Sequence, residues 1–342
     1  MTTNPMKAGA LAVAFAAGVA GFAALPAAAQ MQEVAFVQPS PSAINSFPVF
    51  VAIGEGYFAD EGLEVTVESL NGSAAVLQLI EAGQAEFGRP GPGPELAGRA
   101  RGADVVVIYN VAARTNFGIV VEQDSEVQDV GELGGTVIGT GTADGAEVGF
   151  ARNVLLGAGL EEGDDYTFLT VGDGGPATAA FTRGEIAAYS ASTADAAILN
   201  QRGVPVRDIT PSEYMRFFGN GLATSGDIIR EQPELVEKFG RAFMRGHAFA
   251  LDDANRDVVL DHMVAGNPQE SEDREFASAL FDAVRSKTYP LVEGEGLGYM
   301  PPEVWEEWQQ SLIDGGDLEA PLDDLEAAYT NDFIEVWNEG LN

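Results

Sequence analysis

The sequence predicts an α/β protein built as two lobes, and three observations carry that prediction. Apolar, strand-like runs alternate with short helix patterns up to about residue 225. The helices between them are long enough to make right-handed crossovers between parallel strands. Beyond that point strand patterns fade and amphipathic helices take over.

In chain order, "EVAFVQ", "LEVTVESL", "AEFGR", "DVVVIYNV", "FGIVVEQ", "GTVIGT", "DYTFLTV" and "IAAYSAS" each read as a strand, by apolar alternation or β-branched density. Ser73 is placed to cap "AAVLQLIEAG", with Gly83 as its stop. Asp144 or Thr142 caps "GAEVGFARNVLLGAG", and Pro176 opens "GPATAAFTRG" at a first-turn position. Later, "QPELVEKFGRAFMRGHAFAL" sets Leu235, Phe239 and Phe243 at helical spacing, and "PPEVWEEWQQSLIDGG" does the same with Val304, Trp308 and Leu312. No flexible linker interrupts the chain. Two lobes are therefore expected to be joined by strands crossing near Val120 and near Phe217 to Ala223, giving lobe 1 as 31–120 plus 221–342 and lobe 2 as 121–220.

Residues 8–25, nearly all Ala, Gly, Val, Leu and Phe after the cation Lys7, read as the core of a secretory signal peptide spanning 1–29. The competing reading is a membrane anchor, but the run is weakly hydrophobic and small residues follow it. The absence of Cys removes a lipid-anchor cysteine, a disulfide framework and thiolate metal sites. Export without an anchor gives a periplasmic, soluble protein.

Lys+Arg 18 against Asp+Glu 53 gives a net charge of -35. Nucleic acid and anionic lipid, which need cationic patches, are excluded as partners. Many carboxylates with only three Lys suit a protein kept soluble in strong salt, although an acidic protein in ordinary medium fits as well.

In open α/β sheets, ligands bind beyond the carboxyl ends of strands, beside helix N-termini. Five loops occupy such positions: "PSPSAINSF", "NGSA", "RPGPG", "GTGTADG" and "GDGGPA". They bring Ser73, Thr140 and Thr142 as hydroxyls and Asp173 as a carboxylate, with Ser192 at the end of a further strand. Arg89 and Arg114 each follow a strand pattern and are suited to fork an anion; the alternative for both is a surface salt bridge. Asn45, Asn110, Asn116 and Asp195 are candidate polar contacts, or turn and cap residues. Phe47, Tyr109, Phe117, Tyr189, Phe217 and Phe218 either stack on a ring or belong to the core.

"FPVFVAIGEGYFADEGLEVTV" resembles the opening of the periplasmic solute-binding proteins of nitrate, sulfonate, taurine and thiamine-pyrimidine ABC importers, the NMT1/THI5-like group that includes SsuA-like proteins. "GSAAVLQLIEAGQAEFG", "LAGRARGADVVVIYNV", the stretch from "GELGGTVIGT" to "IAAYSAS", "ATSGDIIREQPELVEKFGRAF" and "YTNDFI" resemble later family segments in the expected order. "GRPGPGPE" is denser in Pro and Gly than the family pattern. The resemblance implies a type II periplasmic-binding-protein fold with mostly parallel sheets. It also implies a monomeric importer component that closes on a small molecule, delivers it to a membrane permease, and uses no cofactor.

Enzyme signatures are missing: no G-x-S-x-G, Walker A or H-E-x-x-H occurs. "GTGTADG" is one residue longer than the dinucleotide fingerprint, and His247 and His262 lie in helical stretches without Cys partners. "DDANRDVVLD" lacks the Gly and Glu of a calcium loop. The rival expectation is a periplasmic enzyme or a ligand sensor on the same frame.

Overall fold

The computed structural model describes residues 1–2, 31–270, 273–290 and 292–339. All but the first two residues of the expected signal peptide lie outside them. The chain from Met31 onward forms its own compact unit. Among the described residues, no helix is long and apolar enough to cross a membrane.

Among the described residues, ten strands form two sheets. They are β1 Gln32–Gln38, β2 Leu63–Ser69, β3 Phe87–Gly88, β4 Val105–Tyr109, β5 Phe117–Glu122, β6 Thr136–Thr140, β7 Tyr166–Thr170, β8 Ala188–Ser192, β9 Val206–Asp208 and β10 Leu222–Ser225. The helices are α1 Phe47–Gly54, α2 Tyr57–Asp60, α3 Ser73–Glu81, α4 Pro92–Ala100, α5 Ala146–Gly157, α6 Gly175–Thr182, α7 Thr193–Gln201, α8 Gly226–Glu231, α9 Pro233–Leu251, α10 Arg256–Gly266, α11 Arg274–Arg285, α12 Pro302–Asp314 and α13 Ile334–Asn338.

The first sheet has the order β2-β1-β3-β10-β4 and the second β7-β6-β8-β5-β9. Both are mixed, with four of the five strands in each running the same way and one reversed. The βα units give parallel ladders, β1 with β2 and β3, and β6 with β7 and β8. β10 runs antiparallel to β3 and β4, and β5 antiparallel to β8 and β9. The reversal falls on the strands beside the crossings: β5 enters the second sheet just after the chain leaves the first, and β10 returns to the first. The chain passes between the sheets through 110–116 and 209–221.

Each sheet buries its faces under helices. Against the first sheet, Phe87 stacks on Phe239 of α9 with ring centroids 3.9 Å apart, and Phe36 and Phe243 extend the cluster. The i, i+4, i+8 spacing of Leu235, Phe239 and Phe243 thus becomes one buried stripe. α1 lies tightly on α9, where a Cβ on Gly246 would meet the Pro48 carbonyl at 2.4 Å. The second sheet packs α5 on one face through Phe150, Val154 and Leu155, and Ala180, Phe181 and Leu199 on the other.

Two expected helix caps are corrected. α3 begins at Ser73 itself, because Gly72 adopts φ +90 at the cap position. α5 is capped by Gly145 without a side-chain bond, while Thr142 turns to Glu147 instead.

Candidate functional site

A cavity of about 470 Å³ lies where loops from the two sheets meet. All five strand-end loops reach it, because each leaves the carboxyl end of its strand toward the same side. The first sheet contributes Asn45, Gly72, Ser73 and Arg89, and the second Thr142, Asp173, Ser192 and Asp195; Asn116 comes from the crossing between them and Phe117 from the start of β5. Two close approaches hold the loops together. A Cβ on Gly91 would lie 2.4 Å from the Ala146 Cβ, and one on Gly141 only 1.8 Å from Asp173 Oδ1.

The remaining expected site residues sit elsewhere. Phe47 is fully buried, edge-on to His247 and Phe281 at 5.3 Å, because its position on α1 turns it to α9 and α11. Asn110 is buried under the 298–299 segment, its amide donating to Tyr299 O at 3.4 Å. Arg114 donates to Tyr289 O at 2.9 Å at the surface. Thr140 is buried at the end of β6. Of the aromatic candidates only Phe117 lines the cavity; Tyr109, Tyr189, Phe217 and Phe218 are core.

Arg89 dominates the electrostatics. It is 4% exposed, its Nε has no hydrogen-bond partner, and no carboxylate forms a salt bridge with it among the described residues. Burial alone pushes its guanidinium down to about 10. Around it, Asn220 donates Nδ2–H to the Arg89 carbonyl at 3.1 Å, while Oδ1 of Asn220 and Oδ1 of Asn116 remain buried without partners. A cationic fork and two amide oxygens are therefore left without protein partners at the wall of a cavity.

The second sheet's wall is acidic. Asp195 closes a capping box with Ser192 and accepts from Gly174 N at 3.1 Å; burial, and then repulsion from Asp173, push it up to about 7. Asp173 accepts from the Tyr189 hydroxyl at 3.3 Å, and burial raises it. Glu147 accepts from Thr142 N at 3.0 Å and Thr142 Oγ1 at 2.7 Å through one oxygen, and burial, reinforced by Asp173, raises it. Ser73 Oγ accepts from Gly91 N at 3.1 Å.

Sequence reasoning missed Glu147, Asn220, Arg202 and the mouth residues Glu270 and Phe276. Glu147 lies two residues beyond a loop already singled out, so its place in the first turn of α5 was the available signal. Glu270 and Phe276 come from the C-terminal helical region, and nothing local points them at the cleft. No group of His, Cys, Asp and Glu able to hold a metal ion occurs among the described residues.

The family profile described as NMT1/THI5 like matches residues 43–256. The riboflavin-binding protein RibY of Chloroflexus aurantiacus is 27% identical over 314 residues, covering 89% of this chain and 86% of RibY. A 4-amino-5-hydroxymethyl-2-methylpyrimidine phosphate synthase of Saccharomyces cerevisiae is 22% identical over 326 residues, covering 85% of this chain and 89% of its own. Among solved structures, the periplasmic aliphatic sulphonate binding protein SsuA from Escherichia coli superposes with a TM-score of 0.67 at 15% identity, over 87% of this chain and 91% of SsuA. The fold is that of the periplasmic binding proteins, and the profile takes in every strand but β1 and most of the cleft's loops. The chain belongs to the NMT1/THI5-like family.

Proposed function

We propose that this protein is the substrate-binding component of an ABC-type importer: it captures a small molecule between its lobes, in the periplasm, and delivers it unchanged to a membrane permease. The single observation that carries the reading is Arg89, a buried guanidinium without a counter-ion at the wall of a cavity shared by both sheets. Burying an unpaired charge is costly, so a chain that keeps one beside a cavity of ligand size points to a partner arriving from solvent. RibY, named as a riboflavin-binding protein, and SsuA, named as a sulphonate binding protein, support it.

The synthase relatives raise an enzyme as the second reading. Against it, His247 is buried on Tyr109 with a 2.6 Å contact to the hydroxyl, and His262 lies 2.7 Å from Glu55; neither lines the cavity. The chain also has no Cys to serve as a nucleophile.

A thermal-shift screen of the mature protein against sulfonates, nitrate, aminopyrimidines, thiamine and riboflavin tests the proposal. A ligand at about a hundred times its dissociation constant adds roughly 2.7 kcal/mol, which is readily seen as a raised melting temperature. A hit recovered chemically unchanged supports a receptor; a hit converted to product overturns it in favour of the enzyme. We also read the net charge of -35 as an adaptation to salt. Melting temperature should then climb steeply toward molar salt as self-repulsion is screened, and a flat response would refute that adaptation.

A further inference from the structure

Carboxylates outnumber cations in the cleft, and Arg202, at the end of α7, lies on the same side as Asp173. Five carboxylates line the cavity, Glu147, Asp173, Asp195, Glu270 and Asp273, against two guanidiniums, Arg89 and Arg202. Not all of these acids are available to a ligand. Asp195 spends its oxygens on Gly174 N and on Ser192, and Glu270 accepts from Ile44 N at 3.1 Å. Asp173, by contrast, is exposed to the cavity and has only the Tyr189 hydroxyl on one oxygen. Glu147 accepts from Thr142 through Oε1, and among the described residues no other residue bonds its Oε2.

Asp173 and Glu147 also repel each other, as do Asp173 and Asp195. A simple monoanion entering this cavity satisfies Arg89 but adds to a wall that already carries surplus negative charge. A positive or N–H-rich group between Asp173 and Glu147 relieves their repulsion and supplies the donors that their free oxygens lack. Arg89 follows β3 of the first sheet, whereas Asp173 and Glu147 follow β7 and β6 of the second. The two demands therefore fall on opposite lobes.

Resting on the receptor reading, we propose that the cleft selects a dipolar ligand: a carboxylate, sulfonate or phosphate held by Arg89 on the first lobe, and an ammonium, amidinium or amine-bearing ring held by Asp173 and Glu147 on the second. Such a molecule bridges the lobes with opposite charges at each end, so the contacts that recognise it are also the contacts that favour closure.

Three rigid probes of one size test this by titration calorimetry on the mature protein: 4-(aminomethyl)benzoate, which is dipolar, and its single-charge relatives benzoate and benzylamine. The dipolar probe should bind about tenfold or more tightly than either relative, the gap of roughly one well-placed charged contact. Asp173→Asn should bring it level with benzoate, and Arg89→Met should bring it level with benzylamine. Asp173 makes no backbone bond and Arg89 forms no ion pair, so both variants are expected to fold; melting curves check this.

Benzoate binding as tightly as the dipolar probe overturns the proposal, and so does a dipolar advantage that survives Asp173→Asn. Silence of the dipolar probe while a sulfonate or riboflavin binds overturns the ligand class and leaves the receptor reading standing. Silence of every probe and every screen compound, with nothing co-purified by native mass spectrometry, sinks both.

Discussion

Replacing Arg89 with methionine separates what the residue does for the fold from what it does for a ligand. The guanidinium is almost wholly buried, has no salt bridge, and is pushed down to about 10 by burial alone. At about 1.4 kcal/mol per pKa unit, the folded protein carries a penalty of roughly 3 kcal/mol for keeping that charge. Methionine has similar length, needs no partner and fills the same space, so Arg89→Met should stabilise the ligand-free protein by about 2 kcal/mol. The Asn220 bond survives, since it goes to the residue 89 carbonyl. For a chain of this size the melting temperature should rise by roughly 3 °C, read by differential scanning calorimetry on a single reversible transition. The same variant should lose at least about tenfold in affinity for whichever screened ligand binds the parent, because a charge-assisted contact is gone. A lower melting temperature would refute the reasoning, since it would mean that the guanidinium supports the fold through contacts absent from this structure.

Gly91→Val places a Cβ where the Ala146 Cβ would be 2.4 Å away, between loops of opposite lobes. It should hold the cleft ajar, increasing the radius of gyration in X-ray scattering and weakening binding; an unchanged radius and affinity would mean the loops yield. Arg152 on α5 reaches Asp317 beyond α12 at 2.6 Å, tying the second lobe to the first. Both partners are about a quarter exposed, so the pair contributes about 1 kcal/mol or less, and Arg152→Met should shift the closed population only a few-fold, an effect lost in molar salt. Glu95 on α4 is completely buried with both oxygens unpartnered, and burial raises its pKa well above the usual range. A carboxyl raised in the folded state favours folding below its unfolded pKa, and that contribution is lost as pH rises toward the folded value. Glu95→Gln should therefore match the parent in acid, surpass it above about pH 5, and flatten the loss of stability with rising pH; parallel pH curves would show that Glu95 has a partner.

Much of the fold was legible because periodicity reports on burial. Eight strands were marked by their own residues, from "EVAFVQ" to "IAAYSAS". β9 was not, since three residues carry too little alternation to stand out, and β10 was expected only as a crossing strand near Phe217 to Ala223; each is defined by neighbours distant in sequence, β5 for one, β3 and β4 for the other. Strand direction was legible within the βα units, whose crossovers require parallel neighbours, but not for β5 and β10, because an isolated strand carries the same pattern whichever way its neighbour runs. In the cleft, strand-end loops could be picked out as positions but their side chains could not be aimed. Arg89 and Arg114 both follow strands in a chain poor in cations, yet one is folded in beside the cavity and the other lies outward on Tyr289 O. Phe47 and Asn45 are two residues apart, and the turn of the chain into α1 puts the first in the core and the second at the cavity.

The charge of the whole chain and the charge of its cleft act over different ranges, and this bears on what the cleft can admit. With a net charge of -35, the protein repels an anion well before it reaches Arg89, since at about 0.1 M salt the screening length is roughly 10 Å. At about 1 M it falls to roughly 3 Å, and only groups in contact with the ligand still count. Arg89 is shielded from solvent and keeps its attraction under both conditions; the outer carboxylates do not keep their repulsion. A dipolar ligand meets less of this barrier at any salt concentration, because its positive end is drawn by the same field that repels its negative one. The acidic surface and the buried guanidinium are therefore compatible in one protein: the surface sets how fast a ligand arrives, and the contacts at Arg89, Asp173 and Glu147 set which ligand stays.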